Sequence, residues 1–407
     1  MDHPSSHHSK ALAIAAAHGH GEAPRTLGVE EELLLVDPRS GRIAPAIELV
    51  LAAAAAADVR ALVPEAHDLT RLEREAKREQ VEAISVPHTS LDTLERSVAL
   101  GRALADVAAR QIGLRAVAMG TSATVSQTQL TASKRYAAIA EQFQSTMREQ
   151  LTCGLHVHVG VADDDEGVAV LDRIRPWLPL VLALSANSPM WGGEDSGYAS
   201  QRYQVWSRWP TAGPTDIFGS PAAYHRAVDA LLATGVPLDD GMVYFDARLS
   251  ARFPTVEVRV ADVCLEAAHS VAIAGIVRAL VSTAAQEWKS GFSPDPMPTT
   301  VVRLAMWSAS RHGVTGPLLN PILGQPCEPR VAIDALLAHI APALAATNDL
   351  HRVTAMVDEV FASGSGAERQ RRIMRERRSA RALVTDAIER THRPVSPTSP
   401  FLDALPI

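Results

Sequence analysis

Apolar and polar positions along this chain switch between a period of two and a period near 3.6, and the switches mark its elements. Residues 27–37 read as a strand closed by the turn signal Asp37-Pro38-Arg39-Ser40-Gly41, and a helix is expected over 46–57. The stretch 71–78 resembles a charged helix, whereas 80–84 alternates as a strand. A helix over 90–112 is marked by Leu91, Leu94, Val98, Leu104 and Val107 and stopped by Gly113, with a strand at 115–119 after it. Further helices are expected at 134–150, at 168–185 with interruptions at Pro176 and Pro179, and at 224–233. Residues 186–213, polar with glycine and tryptophan, have the composition of a functional loop. Residues 242–249 and 255–260 are placed to pair as antiparallel strands, with Asp246 and Arg248 on one face. The helical pattern resumes over 266–288, 331–361 and the arginine-rich 369–381.

Three separated strands carry the most informative alternation: Gly28-Val29-Glu30-Glu31-Glu32, Gly154-Leu155-His156-Val157-His158-Val159-Gly160 and Thr255-Val256-Glu257-Val258-Arg259-Val260. Alternate residues of a strand share a face, so Glu30 with Glu32, His156 with His158, and Glu257 with Arg259 each project to one side. In the second and third segments the intervening residues are aliphatic. Charges repeated on a face that a sheet would otherwise bury are costly unless something binds there. Leu33 to Val36 extend the first strand into a region apolar on both faces, which marks it as central. The predicted architecture is α+β, a largely antiparallel sheet with helices on one face and ligand on the other.

With 407 residues, 47% of them hydrophobic, the chain can bury a large core. Its formal net charge of -7 provides no basic field for nucleic acid or anionic lipid. The longest apolar run, 49–57, falls short of the roughly 20 residues that span a bilayer. Residues 1–20 lack the charged and apolar regions of an export signal. Three widely spaced cysteines, Cys153, Cys264 and Cys327, fit neither a disulfide framework nor a zinc cluster, so a reducing cytoplasm is the expected location. Cys153, just before the histidine strand, is read as a buried residue rather than a nucleophile. No compositional break marks a linker, which leaves a disordered segment 1–24, a single catalytic domain 25–392 and a tail 393–407.

The chemistry of the three strands is open on spacing alone. Histidines at i and i+2 are either hydrogen-bonded core residues or ligands of zinc, iron or copper, and a zinc or iron hydrolase using His156 and His158 is one alternative. The carboxylates outnumber the histidines, and an oxygen-rich site favours magnesium. An arginine two places after Glu257 supplies what phosphoryl transfer needs, a bidentate cation beside metal carboxylates. Two or three magnesium ions would then bridge nucleotide phosphates. Neither G-x-x-x-x-G-K-[ST] nor a strand-borne G-x-G-x-x-G is present, so side chains and metals must hold any nucleotide. A nucleotide-binding module without catalysis is the other alternative. The C-terminal arginine run is read as a solvated, glutamate-paired helix face.

Four segments in order, residues 28–32, 152–160, 184–189 and 254–260, resemble motifs of the bacterial carboxylate-amine ligases of the second glutamate-cysteine ligase group. The resemblance spans about 25 to 380 and implies a glutamine-synthetase-like fold, a curved, mainly antiparallel sheet with helices on its outer face. It also implies a mechanism in which ATP phosphorylates a carboxylate and an amine displaces the phosphate. By this resemblance Glu30, Glu32, Glu75, Glu82, His156 and Glu257 look like ligands of magnesium, with manganese as an alternative ion. Arg259 and Glu257 look catalytic, as does Arg202, suited to gripping a carboxylate or phosphate, while Thr255, Asn187, Ser188 and Arg248 look like nucleotide contacts. The implied partners are a small carboxylate, glutamate by default, and an amine, cysteine by default. A homodimer is compatible with this, and neither nucleic acid nor membrane is expected. Residues 243–249 lack the family's proline, and 120–124 its His-Pro, departures that bear on the choice of amine.

Overall fold

The structure, a computed structural model, describes residues 23–125 and 127–393. Apart from residues 23, 24 and 393, the expected N-terminal segment and C-terminal tail lie outside these. Among the described residues, seven strands form the main sheet: β1 (Leu27–Val36), β2 (Thr70–Arg74), β3 (Gln80–Ser85), β4 (Arg115–Val117), β5 (Gly154–Gly160), β6 (Ala247–Leu249) and β7 (Thr255–Asp262). They run in the order β2-β3-β1-β5-β7-β6, with β4 pairing the far end of β1, and every pairing is antiparallel. The alternation in β1 is visible as burial: Leu27, Val29 and Glu31 are buried, Gly28, Glu30 and Glu32 half-buried, and Leu33 to Val36 all buried.

The charged stretch 71–78 is not a helix. Leu72 and Ala76 alone would have made its apolar stripe, whereas as a strand Leu72 lies opposite Ala83 and Glu73 opposite Glu82. Pairing with β3 overrides local propensity. The helix expected over 134–150 breaks at Gln144, whose φ of 45° is left-handed, giving Lys134–Phe143 and Ser145–Glu149. Pro176 and Pro179 open new segments rather than interrupting one, so Asp164–Ile174 passes through a 3₁₀ turn at Arg175–Trp177 into Leu178–Ser185. The pattern over 331–361 resolves into Pro329–Ala346 and Leu350–Ser363, and the final arginine-rich helix, Gly366–Arg377, is followed by another, Ala380–Thr391. Helix Thr299–His312 and the hairpin Leu318–Asn320/Gln325–Cys327 were not predicted.

Helices cover one face of the sheet. We label two of them: α1 (Leu91–Arg110), whose start is capped by the Ser90 hydroxyl accepting from Thr93 N–H, and α2 (Ala267–Lys289). They pack against each other and against β1 and β5. α2 and Pro329–Ala346 are long and apolar enough by composition to cross a membrane, and the most apolar stretch of α2 is 83% buried within this fold.

At the centre of the packed face lies a charge pair. Glu31 points away from Glu30 and Glu32 and accepts two hydrogen bonds from Arg102 of α1, at 2.7 and 2.8 Å. The same guanidinium donates to the carbonyls of Cys264, Leu265 and Thr391, and Ser270 donates to Glu31. β1, α1, the end of β7, the start of α2 and the last helix therefore meet at one cation. Removing one member of a buried, hydrogen-bonded pair leaves the other charge uncompensated, at a cost of about 3–5 kcal/mol. Arg102→Ala is expected to lower unfolding stability by about that amount in a urea titration; a change below about 1 kcal/mol would show that the pair does not hold the fold together.

Candidate active site

The opposite face of the sheet is a cavity of about 710 Å³. Its floor is written by strand register. Glu73, Glu82 and Glu32 lie side by side across β2, β3 and β1; Glu30 lies opposite His156; His158, Glu257 and Arg248 continue the row across β5, β7 and β6. All eight line the cavity. Between β5 and β7 the register shifts, so Arg259 and Val260 face His156 together. Such a bulge re-aims side chains beside a site, and here it accompanies Arg259 in the wall.

Antiparallel register also gives the floor two ends. At one, His158 Nε2 lies 3.4 Å and His156 Nδ1 3.2 Å from the Glu30 carboxylate, and Arg248 donates to Glu257 at 2.7 and 3.2 Å. Arg259 also pairs with Glu257. Burial opposes ionisation of Glu30, but hydrogen bonds from the two histidines outweigh it and hold its carboxyl well below the usual range. Glu257 is likewise held low, against burial, by Arg259 and Arg248. At the other end Glu75 and Glu82 have no such partners. Burial, then the neighbouring Glu32 charge, pushes Glu75 up to about 7, and burial, then Glu75 and Glu30, pushes Glu82 well above the ordinary value. Burial and the Arg259 cation push His156 down, which keeps its imidazole neutral and able to donate a lone pair.

Ligand-type atoms gather in three overlapping sets, each within 4.8 Å: Glu30, Glu82 and His156; Glu30, His158 and Glu257; Glu32, Glu75 and Glu82. The donors are mostly carboxylate oxygens, which suits hard divalent cations, and their mutual repulsion is relieved by such ions. The residues present therefore fit magnesium.

Arg202 is reached through several sequence features acting together. Its guanidinium donates to the carbonyls of Arg259 and Val260 at 3.1 and 3.2 Å, and a side chain at Gly154 would collide with it, so glycine leaves room for it there. Its backbone N–H is accepted by the Ser188 hydroxyl, which donates to Asp262. The structure does not bring Asn187 and Ser188 to the cavity, contrary to the nucleotide contacts expected of them. The Asn187 amide donates to the carbonyls of Ala118 and Val263 and accepts from Gln370, and both residues are fully buried. Their polar atoms are consumed in positioning. Thr255 lies beside the cavity, its hydroxyl 3.0 Å from His158 Nδ1. Asp246 turns away from Arg248 to accept from the Tyr203 hydroxyl. Cys153 is fully buried, accepts from Gln80, and has its thiol pushed well up by burial, so it is no nucleophile. In the arginine run, Arg369 pairs with Asp386 and Arg371 with Asp195, so the partners are aspartates of other elements rather than glutamates of the helix. Sequence reading missed Glu73 and the aromatic wall of Tyr136, Trp206, Trp209 and Tyr244. Alternation of Arg71, Glu73 and Glu75 was the available signal for the first; for the second, the tryptophans of 186–213 were a signal, and Tyr136 and Tyr244 had none.

The fold is shared with a bifunctional glutathione synthetase from Pasteurella multocida, at TM-score 0.64 and 13% identity over 94% of this chain. This chain spans about half, 53%, of that longer protein. It is also shared with a glutamate–cysteine ligase from Francisella tularensis in complex with AMP, at TM-score 0.63 and 13% identity over 94% and 91% of the two chains. At the sequence level the chain is 46% identical to a Paenarthrobacter aurescens protein named "Putative glutamate–cysteine ligase 2-1", over 91% of this chain and 96% of that one. It is 45% identical to a Streptomyces coelicolor protein of similar name, over 90% and 99%. Fold, site and relatives define a carbon–nitrogen ligase whose fold is shared with glutamate–cysteine ligase. The hydrolase reading of the histidine strand is thereby set aside. The chain belongs to Glutamate-cysteine ligase family 2, whose sequence pattern matches residues 26–391.

The carboxylates at the Glu75 end hold protons that a cation must displace. Because Glu75 and Glu82 are raised, the metal-free fold binds more protons than the unfolded chain above the ordinary value of 4.5, so its stability falls as pH rises towards 7 and beyond. Magnesium titration at pH 7 is expected to release protons and to tighten with rising pH. Calorimetry in two buffers of different ionisation enthalpy measures this, and identical heats in both would refute it.

Proposed function

We propose that this protein is an ATP-dependent carboxylate–amine ligase acting in the cytoplasm, with glutamate as the carboxylate and cysteine as the default amine. The observation that carries the reading is Glu257 held between Arg248 and Arg259, with five further carboxylates and two histidines on the same face. Magnesium would be held by Glu30, Glu32, Glu75, Glu82, His156 and Glu257, and when bound it neutralises charge on the nucleotide phosphates. Arg248 and Thr255 flank the nucleotide end.

In the first half-reaction a substrate carboxylate oxygen attacks the γ-phosphorus, the bond to the β-phosphate oxygen breaks, and ADP leaves. The Arg259 guanidinium, fixed by Glu257 and lying 5.3 Å over the Trp206 ring, is aimed at the phosphoryl oxygens, where preorganised charge acts most strongly. Arg202, anchored to backbone carbonyls, orients the substrate carboxylate. In the second half-reaction the amine nitrogen attacks the acyl carbon, the carbon–oxygen bond to phosphate breaks, and phosphate leaves as the nitrogen gives up a proton to an active-site carboxylate. The product is an amide.

Pure protein with ATP, magnesium, glutamate and an amine is expected to release ADP and phosphate, not AMP. Glu257→Gln and Arg259→Ala are each expected to lower kcat by about 10²–10³ with the far-ultraviolet circular dichroism unchanged. Turnover within about threefold of wild type in either variant would remove β7 from the mechanism.

A further inference from the structure

Beyond the acidic floor, one end of the cavity has a different character. Tyr136, Ile139, Met147, Trp206, Trp209 and Tyr244 all line it. They belong to a separate apolar cluster that also includes Ala76, the residue next to Glu75. Trp206 and Trp209 pack on Tyr244 with ring centroids 4.7 and 5.4 Å apart, and Trp209 meets Phe143 at 5.0 Å. Tyr136 and Tyr244 both feel the charge of Glu75, so the wall reaches the Glu75 end of the floor, and Trp206 lies under the Arg259 guanidinium.

Several polar groups beside the wall are paired within the protein. The Trp209 indole donates to Gln150 at 3.2 Å, and the Gln150 amide donates to Thr152 at 2.7 Å. Arg135 is locked in a two-bond pair with Asp239 at 2.6 and 2.8 Å, and Arg202 donates to backbone carbonyls. A contiguous apolar and aromatic surface facing a cavity is a binding surface for a ligand of like character, and aromatic faces attract a cationic nitrogen. A small polar acceptor would leave this wall wet.

We propose that this wall is the acceptor subsite and that it takes an amine with an apolar or aromatic body, its nitrogen directed towards the acidic floor. The assignment rests on the ligase reading above and replaces cysteine, the default amine, with a chemical class. Hydrophobic contact selects the body.

The test uses the full chain with ATP, magnesium and glutamate, and compares 2-phenylethylamine, isobutylamine, methylamine, cysteine and hydroxylamine by ADP release. Hydroxylamine traps an activated carboxylate without needing the wall. The expected result is a kcat/KM for phenylethylamine at least tenfold above that for cysteine. Tyr136→Ala and Met147→Ala are expected to lower the phenylethylamine-to-hydroxylamine ratio of kcat/KM at least tenfold, chiefly through KM, and Tyr136→Phe to recover most of it. Cysteine equal to or better than the apolar amines overturns the subsite while leaving the ligase intact, as does an unchanged ratio in both alanine variants. No ADP with any amine or with hydroxylamine overturns the ligase reading itself and the subsite with it.

Discussion

The hydrogen-bonded pair between Glu31 and Arg102 is the constraint on which the rest of the structure depends. A strand with three consecutive glutamates could present its odd or its even positions to the cavity, and a one-residue slip would exchange the two sets. Burying Glu31 against a guanidinium in the helical layer removes that freedom. The buried charge is tolerable only where Arg102 reaches it, so Glu30 and Glu32 must face the other way. Because Arg102 also gathers the carbonyls at the end of β7 and of the last helix, the same cation that sets the register of β1 closes the domain around it.

On the cavity side, physics works against the protein. Eight acidic or imidazole side chains share one sheet face, and burial penalises every charged one. The fold resolves this unevenly. Glu30 and Glu257 are given histidine and arginine partners and stay ionised, while Glu75 and Glu82 are left to hold protons. One end of the floor is thus ready for a cation at any neutral pH, and the other becomes ready only as protons leave. Perturbed carboxylates of opposite sense within one cleft are the usual sign of a site that moves charge.

Positioning comes from a buried network at the end of β7. Asp262, fully buried, accepts from Asn187 N–H and from the hydroxyls of Ser188 and Ser200; Ser188 in turn holds the backbone of Arg202, and Ser200 caps its helix. The segment after residue 185, which looks like a functional loop, is therefore in part a brace, and it carries Arg202, Trp206 and Trp209 into the cavity wall. Gly154 completes it by leaving room for the guanidinium, and its own N–H is accepted by Glu32 at 2.6 Å.

What the sequence determined by itself was local and periodic. Strict alternation in β1, β5 and β7 showed which side chains share a face, the apolar extension of β1 showed that it is central, and the turn, cap and glycine signals located α1, because each of these follows from backbone geometry within a few residues. It was silent where the deciding partner is distant in the chain. The strand state of 70–74 depends on β3, the break at Gln144 on packing around it, and the burial of Asn187 on Gly366 and Gln370, some 180 residues away. The aromatic wall joins residues 136 to 244 that share no motif. The proton load of Glu75 against that of Glu30 depends on burial and on which neighbour lies opposite, quantities that exist only once the strands are side by side.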